Sequence, residues 1–265
     1  MNAAQRSPGV RQRNLKLVLT YDGTDFAGWQ RQTNGLTVQQ VLEEAIERVT
    51  GERAGVIGAG RTDAGVHALG QVANFHSGSR LSVAELQRAL NAVLPPTVAV
   101  VEAEEVADDF HARYHATSKH YRYTIHNGPV RPVLDRNRVL HMRTRLNLTQ
   151  MRLAARGLVG EHDFAAFARH AREQANTVRS IEELTIRRKG SRVLVDIIGS
   201  GFLYTMVRAI VGTLLEVGRG KLPAAAVADI LEGRDRRRAG PTAPARGLCL
   251  VSVGYPEEEG EGHQR

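Results

Sequence analysis

The residues best suited to chemistry lie in one short stretch, Gly58-Ala59-Gly60-Arg61-Thr62-Asp63-Ala64-Gly65-Val66-His67, where three glycines surround an arginine and an aspartate. Glycines at that density let backbone approach a ligand closely or adopt positive φ. Two phosphate-binding patterns fail on this stretch. A dinucleotide fingerprint needs its third glycine where Asp63 stands, and a P-loop needs Gly-Lys-Ser/Thr where Gly65 is followed by Val66-His67. No nucleotide cofactor is expected. What remains is an acid on a glycine-flanked loop, with Arg61 two residues before it. A neighbouring cation favours the ionised form of a carboxylate, which suits a nucleophile or base and not a proton donor. On spacing alone, a tight turn in which the aspartate caps backbone amides is the commoner meaning.

Other candidates are weaker. Glycoside hydrolysis normally uses two carboxylates, one of them held protonated. Asp108, Asp109 and Asp163 sit in ordinary polar stretches, so no second acid matches Asp63. A lone ionised carboxylate fits glycosidic cleavage in which the leaving base is kept and reattached. His111 and His115 have i, i+4 spacing beside His120, but no acidic third ligand follows, and no metal is expected. The run Arg234-Asp235-Arg236-Arg237-Arg238 reads equally as a solvated loop or as a phosphate contact.

The elements that must carry this loop alternate between strand and helix. Leu15 to Tyr21 is rich in β-formers. Thr37 can cap a helix with apolar positions Val38, Val41, Leu42, Ala45, Ile46 and Val49, ending at Gly51. Gln71 to His76 and Val98 to Val106 are further strands, separated by a helix that opens on the Ser82/Glu85 capping box and stops at Pro95-Pro96. The second half repeats the pattern. It has a strand at Tyr121 to Ile125, a helix from Leu148 to Leu158 closed by Gly160, and a hairpin around Lys189-Gly190. A strongly apolar helix then carries Leu203, Met206, Val207, Ile210, Val211, Leu214 and Leu215; a shorter one starts at Pro223, and a strand covers Leu248 to Val253. This order predicts an α+β protein with a mostly antiparallel sheet and helices on one face. Two similar subdomains, 14–109 with the Asp63 loop and 110–256, would face each other across a cleft. The ends, 1–13 and 257–265, read as flexible tails.

Composition sets the remaining bounds. The chain has 265 residues, 42% hydrophobic, enough to bury a core. Its net charge of +8 points to a polyanionic partner, although 32 arginines against four lysines can also reflect genome composition. No apolar run reaches membrane-spanning length and no secretory signal is read at the N-terminus. Cys249 is the single cysteine, which fits a reducing cytoplasm; its apolar neighbours predict a buried, inert thiol.

Five stretches in order carry a resemblance. Tyr21-Asp22-Gly23-Thr24-Asp25-Phe26-Ala27-Gly28-Trp29-Gln30, Gly60 to Ala68, Ser118-Lys119-His120-Tyr121-Arg122-Tyr123, Gly201 to Arg208 and Thr242 to Leu248 are similar to the motifs of the tRNA pseudouridine synthase A family. The match spans nearly the whole chain. It departs at His120, where similar sequences vary, and at Cys249, where a tyrosine is expected. The resemblance implies a continuous central sheet joining the two subdomains, a homodimer, and tRNA as the partner. It also implies isomerisation of uridine to pseudouridine in the anticodon stem-loop, at tRNA positions 38–40, with no metal and no cofactor. By position, Asp63 resembles the aspartate that acts on the ribose, Tyr121 the tyrosine stacked on the flipped uracil, Arg208 the arginine paired with the aspartate, and Arg61 the arginine that helps displace the base. Two other readings compete: a non-catalytic RNA-binding module, and a nucleoside or sugar hydrolase using Asp63.

Overall fold

The computed structural model describes residues 12–173 and 175–256. The tails expected to be flexible lie outside them, except at their inner edge. Arg13 already begins strand β1 (Arg13–Tyr21), and its guanidinium donates to the carbonyls of Ser79 and Leu81, both at 2.7 Å.

Chain order runs β1, α1 (Val38–Thr50), β2 (Ile57–Gly58), β3 (His67–Ser77), α2 (Val83–Val93), β4 (Val98–Val106), β5 (Ser118–Asn127), β6 (Leu140–Met142) and α3 (Leu148–Arg156). It continues with β7 (Gly160–Asp163), β8 (Val178–Lys189), β9 (Arg192–Gly199), α4 (Met206–Gly218), α5 (Ala226–Gly233) and β10 (Leu248–Gly254). The ten strands form one sheet in the order β4-β1-β3-β10-β5-β9-β8-β7, with β2 beside β3 and β6 beside β5. Pairing is antiparallel except for β10 with β3 and β5 with β6. The α+β architecture and continuous sheet predicted above are therefore present.

Period-two burial decides which face is covered. Leu15, Leu17, Leu19 and Tyr21 of β1, Tyr121, Tyr123 and Ile125 of β5, and Val193, Val195 and Ile197 of β9 enter one core together with the apolar stripes of all five helices. The helices thus share one face. Among the described residues the opposite face carries a smaller cluster around Ala59, Val72 and Ala112. It also carries Asp196, whose buried carboxylate accepts from His120 Nε2 and Arg122 Nε, both at 2.7 Å, and Arg187 at 3.0 Å.

Local signals explain the helix ends. Thr37 accepts from the Gln40 amide and Gly51 closes α1 at φ 76°. The Ser82/Glu85 capping box forms, with Ser82 donating to Glu85 and the Glu85 amide donating back. Three boundaries differ from expectation. Helix α3 ends at Arg156 with Gly157 as its cap, because Gly160, at φ 109°, already starts β7. Leu203 lies in the turn before α4, whose cap is Thr205 at φ 61°. Pro223 opens a preliminary turn and α5 begins at Ala226. Strands β2, β6 and β7 have two to four residues each, too short for a periodic signal. Among the described residues no helix is long and apolar enough to cross a membrane.

Candidate active site

The Asp63 loop is the connection between β2 and β3. Pairing of Ile57 with Asn74 and Gly58 with Ala73 fixes where it leaves the sheet, and His67 fixes where it returns. The segment after β1 wraps over it. Trp29 donates its amide to the Thr62 carbonyl at 3.0 Å, and Gly65 donates to the Phe26 carbonyl at 3.3 Å. Beneath, the Tyr21 hydroxyl meets Thr62 Oγ1 at 2.9 Å and Gln71 Nε2 donates to the Gly60 carbonyl at 2.8 Å. His67 is buried. Its Nδ1 accepts from the Gly23 amide and its Nε2 therefore donates to the Asn137 carbonyl, which pins the end of the loop.

Two glycines are required by this packing. At Gly58 an added Cβ would sit 2.5 Å from the Trp29 ring, and at Gly28, with φ 104°, it would sit 2.7 Å from the Thr62 carbonyl oxygen. Gly28→Ala is expected to cost about 1–3 kcal/mol and to displace Thr62 and Asp63. Denaturant unfolding checks this: an unchanged midpoint with full activity would contradict the bracing described.

Strand β10 brings the distant parts together. It lies between β3 and β5, with Leu250 beside Ala68 on one side and Tyr121 on the other. Asp63 and Tyr121 consequently line one cleft of about 1080 Å³ together with Arg61 and Arg208. Arg208 Nη1 donates to Asp63 Oδ2 at 2.8 Å, and Arg208 Nε donates to the Ala243 carbonyl at 2.8 Å. The second contact explains the Thr242–Leu248 stretch: it packs so tightly on α4 that a Cβ at Gly212 would meet the Pro241 carbonyl oxygen at 1.7 Å. Among the described residues Arg208 is the only hydrogen-bond donor to the Asp63 carboxylate, so the turn-capping alternative is not what the structure contains.

Tyr121 stands edge-on to Phe202 with ring centroids 5.3 Å apart. Burial, with Tyr21 and Asp63 nearby, holds its phenol far above the ordinary range, so it stays protonated at neutral pH. Arg61, the cation nearest Asp63 in sequence, does not pair with it; its Nε donates to Gln30 at 3.0 Å on the exposed side of the cleft.

The structure bears on several sequence readings. Helix α4 is buried on almost every side, and the Arg208 side chain is only 19% exposed, although it lies off the apolar stripe. Cys249 is half-buried on the sheet face away from the helices, not in the core; burial still pushes its thiol up to about 11, keeping it unreactive at neutral pH. His111 accepts from the amides of Arg113 and Tyr114, and His115 stands edge-on to Phe110. Among the described residues, no cluster of three His, Cys, Asp or Glu side chains could hold a metal. In the basic run Arg234 pairs with Asp163, Arg236 with Thr242, Arg237 with Asp235, and Arg238 reaches the Asp229 carbonyl, while the Arg234 and Arg237 side chains stay exposed.

Some cleft residues carried no sequence signal of their own. Glu173 is a second acid, exposed at the rim and bonded to His170 at 2.9 Å. Lys119, Arg169 and Arg179 add positive charge. Lys119 alone had a signal beyond its own residue type: it falls within the Ser118–Tyr123 stretch, and the periodicity of β5 puts it on the same face as Tyr121.

Asp63 held by Arg208, the buried Tyr121 and the cations Lys119, Arg169 and Arg179 thus share one cleft. A family model described as tRNA pseudouridine synthase matches residues 17–115 and 154–256. The chain belongs to the tRNA pseudouridine synthase family. Among its relatives are proteins named tRNA pseudouridine synthase A. Those of Clostridium kluyveri and Acetivibrio thermocellus are 46% and 48% identical over 243 residues, covering 92% of this chain and all of theirs. That of Syntrophotalea carbinolica is 49% identical over 245 residues, covering 92% of this chain and 97% of its own.

Proposed function

We propose that this cleft isomerises uridine to pseudouridine in tRNA, on uridines of the anticodon stem-loop at tRNA positions 38–40, with Asp63 as the acting carboxylate. The observation that carries the reading is the Asp63–Arg208 pair at 2.8 Å beside the buried Tyr121. The N1–C1′ bond breaks, the uracil is retained and turned, C5 bonds to C1′, and the C5 proton leaves. Asp63 acts on the ribose, either by attacking C1′ or by removing the C2′ proton toward a glycal; a primary isotope effect with deuterium at C2′ selects the second route. Tyr121 offers a neutral aromatic face to a base taken out of the helix. Arg208 orients the carboxylate, and Arg61, on the open side, takes the space the base leaves. Isomerisation needs no external energy, so no nucleotide enters the scheme, and none of its steps uses a metal.

The assignment draws on both parts of the chain, Asp63 from 14–109 and Tyr121 and Arg208 from 110–256, in keeping with two subdomains that meet at a cleft. A homodimer holding tRNA across both subunits fits the exposed Leu69 on the uncovered sheet face. A cytoplasmic location fits the substrate.

Nucleoside analysis of unmodified tRNA transcripts after incubation tests the function. Pseudouridine should appear in the anticodon arm with uridine lost in equal amount. Free uracil would favour a hydrolase, and binding without product an RNA-binding module. Affinity for tRNA should also fall steeply with salt, by roughly one decade per decade of salt for each phosphate neutralised. A flat response in filter binding would contradict a cationic cleft.

A further inference from the structure

Four cations lining the cleft, Arg113, Lys119, Arg169 and Arg179, have no part in the scheme above, and Lys119 lies nearest the Asp63 loop and Tyr121 in the chain's layout. Lys119 leaves β5 two residues before Tyr121 and on the same face of the strand. Its stem crosses the Asp63 loop at Gly60, where a Cβ would stand 3.3 Å from Lys119 Cε and 3.5 Å from Nζ. Among the described residues its ammonium has no hydrogen-bond acceptor and no carboxylate partner, whereas Lys16 and Lys221 pair with Glu104 and Glu216. Arg208 and Arg61 are already engaged, with Asp63 and Gln30.

Burial, followed by the charges of Arg113 and Arg179, pushes the Lys119 pKa down. A half-buried ammonium beside two guanidiniums and bonded to no carboxylate among the described residues is electrostatically incomplete, because a desolvated charge is costly unless it is paired. The missing group must be anionic, must reach a point beside both Gly60 and Tyr121, and must arrive with the substrate. A neutral uracil carbonyl supplies too little charge, whereas a phosphodiester supplies a full one and is attached to the ribose on which Asp63 acts.

We propose that Lys119 Nζ binds a phosphate flanking the target uridine, and that this contact, with Arg113 and Arg179 outside it, holds the nucleotide in its flipped position. The proposal rests on the uridine-isomerising reading of the cleft. Lys119 is then a binding residue whose loss is felt in KM.

The test combines a protein variant with neutralised phosphates. Lys119→Met keeps the stem and removes the charge; KM should rise about tenfold, kcat should change by less than about threefold, and the salt slope should fall by about one. In an anticodon-arm RNA, methylphosphonates are placed one at a time on either side of the target uridine. One flanking substitution should weaken the wild type about tenfold and add nothing further in Lys119→Met, while the other remains additive. Lys119→Arg should retain most of the affinity. Additive losses at both flanking positions, or a fall in kcat with KM unchanged, would overturn the proposal. If Lys119→Met does not fold, the wild-type scan decides: no sensitive flanking phosphate overturns it. Failure of the wild type to form pseudouridine in the unmodified RNA would instead strike the functional reading beneath it.

Discussion

Replacing Asp63 by asparagine is expected to lower kcat by roughly a thousandfold or more while leaving tRNA affinity within about tenfold of the wild type. The amide keeps the shape and can still accept from Arg208 Nη1, so the hydrogen bond at 2.8 Å need not be lost. What disappears is the negative charge and the basic oxygen that act on the ribose. The loop itself should stand, because Trp29, Tyr21, Gln71 and His67 hold it through Thr62, Gly60 and Gly23 and none of them touches the Asp63 carboxylate. Removing one acid from a cationic cleft slightly favours RNA binding. Single-turnover kinetics and filter binding on the same preparation check both halves. A tenfold or greater weakening of binding with residual turnover would make Asp63 structural.

Arg208→Lys is expected to have the second-largest effect, a loss of about a hundredfold in kcat, the scale seen when one preorganised donor is removed from an active site. The guanidinium donates in two directions at once, Nη1 to Asp63 and Nε to the Ala243 carbonyl, and a single ammonium cannot reproduce that fork. Charge is kept, so tRNA affinity should change little. Arg61→Ala is the contrast. Its Nε bonds Gln30 on the exposed side of the cleft, and its loss should raise KM with less than about a tenfold change in kcat. Steady-state kinetics of the two variants side by side give the comparison; equal, mild effects would contradict an Arg208 that orients Asp63.

Much of this was legible in the sequence because local physics dictated it. Thr37, Gly51, Ser82 and Glu85 mark helix ends through backbone groups within a few residues, and the two-residue alternation in β1, β5 and β9 marks one covered face. Longer-range relations were not local in this sense. Arg61 stands two residues from Asp63, yet the partner of Asp63 is Arg208 of α4, 145 residues away, because β10 inserts between β3 and β5 and carries the second half of the chain against the first. Only the family resemblance linked Arg208 to Asp63. Cys249 shows the same limit. Its apolar neighbours predicted core burial, but in a strand they face the other way, and the cysteine falls on the uncovered side. The basic run at 234–238 read equally as a solvated loop or a phosphate contact; the fold places Asp163, Thr242 and the Asp229 carbonyl beside it and leaves Arg237 exposed.

The most direct measurement of the central claim uses tRNA transcript labelled with tritium at uracil C5. Formation of the new C5–C1′ bond releases that tritium to water while the base stays attached and the chain stays whole. The wild type should release tritium in proportion to the pseudouridine formed, from intact RNA, and Asp63→Asn should release none. Tritium retained in every tRNA tried, or label lost only as free uracil, would contradict it.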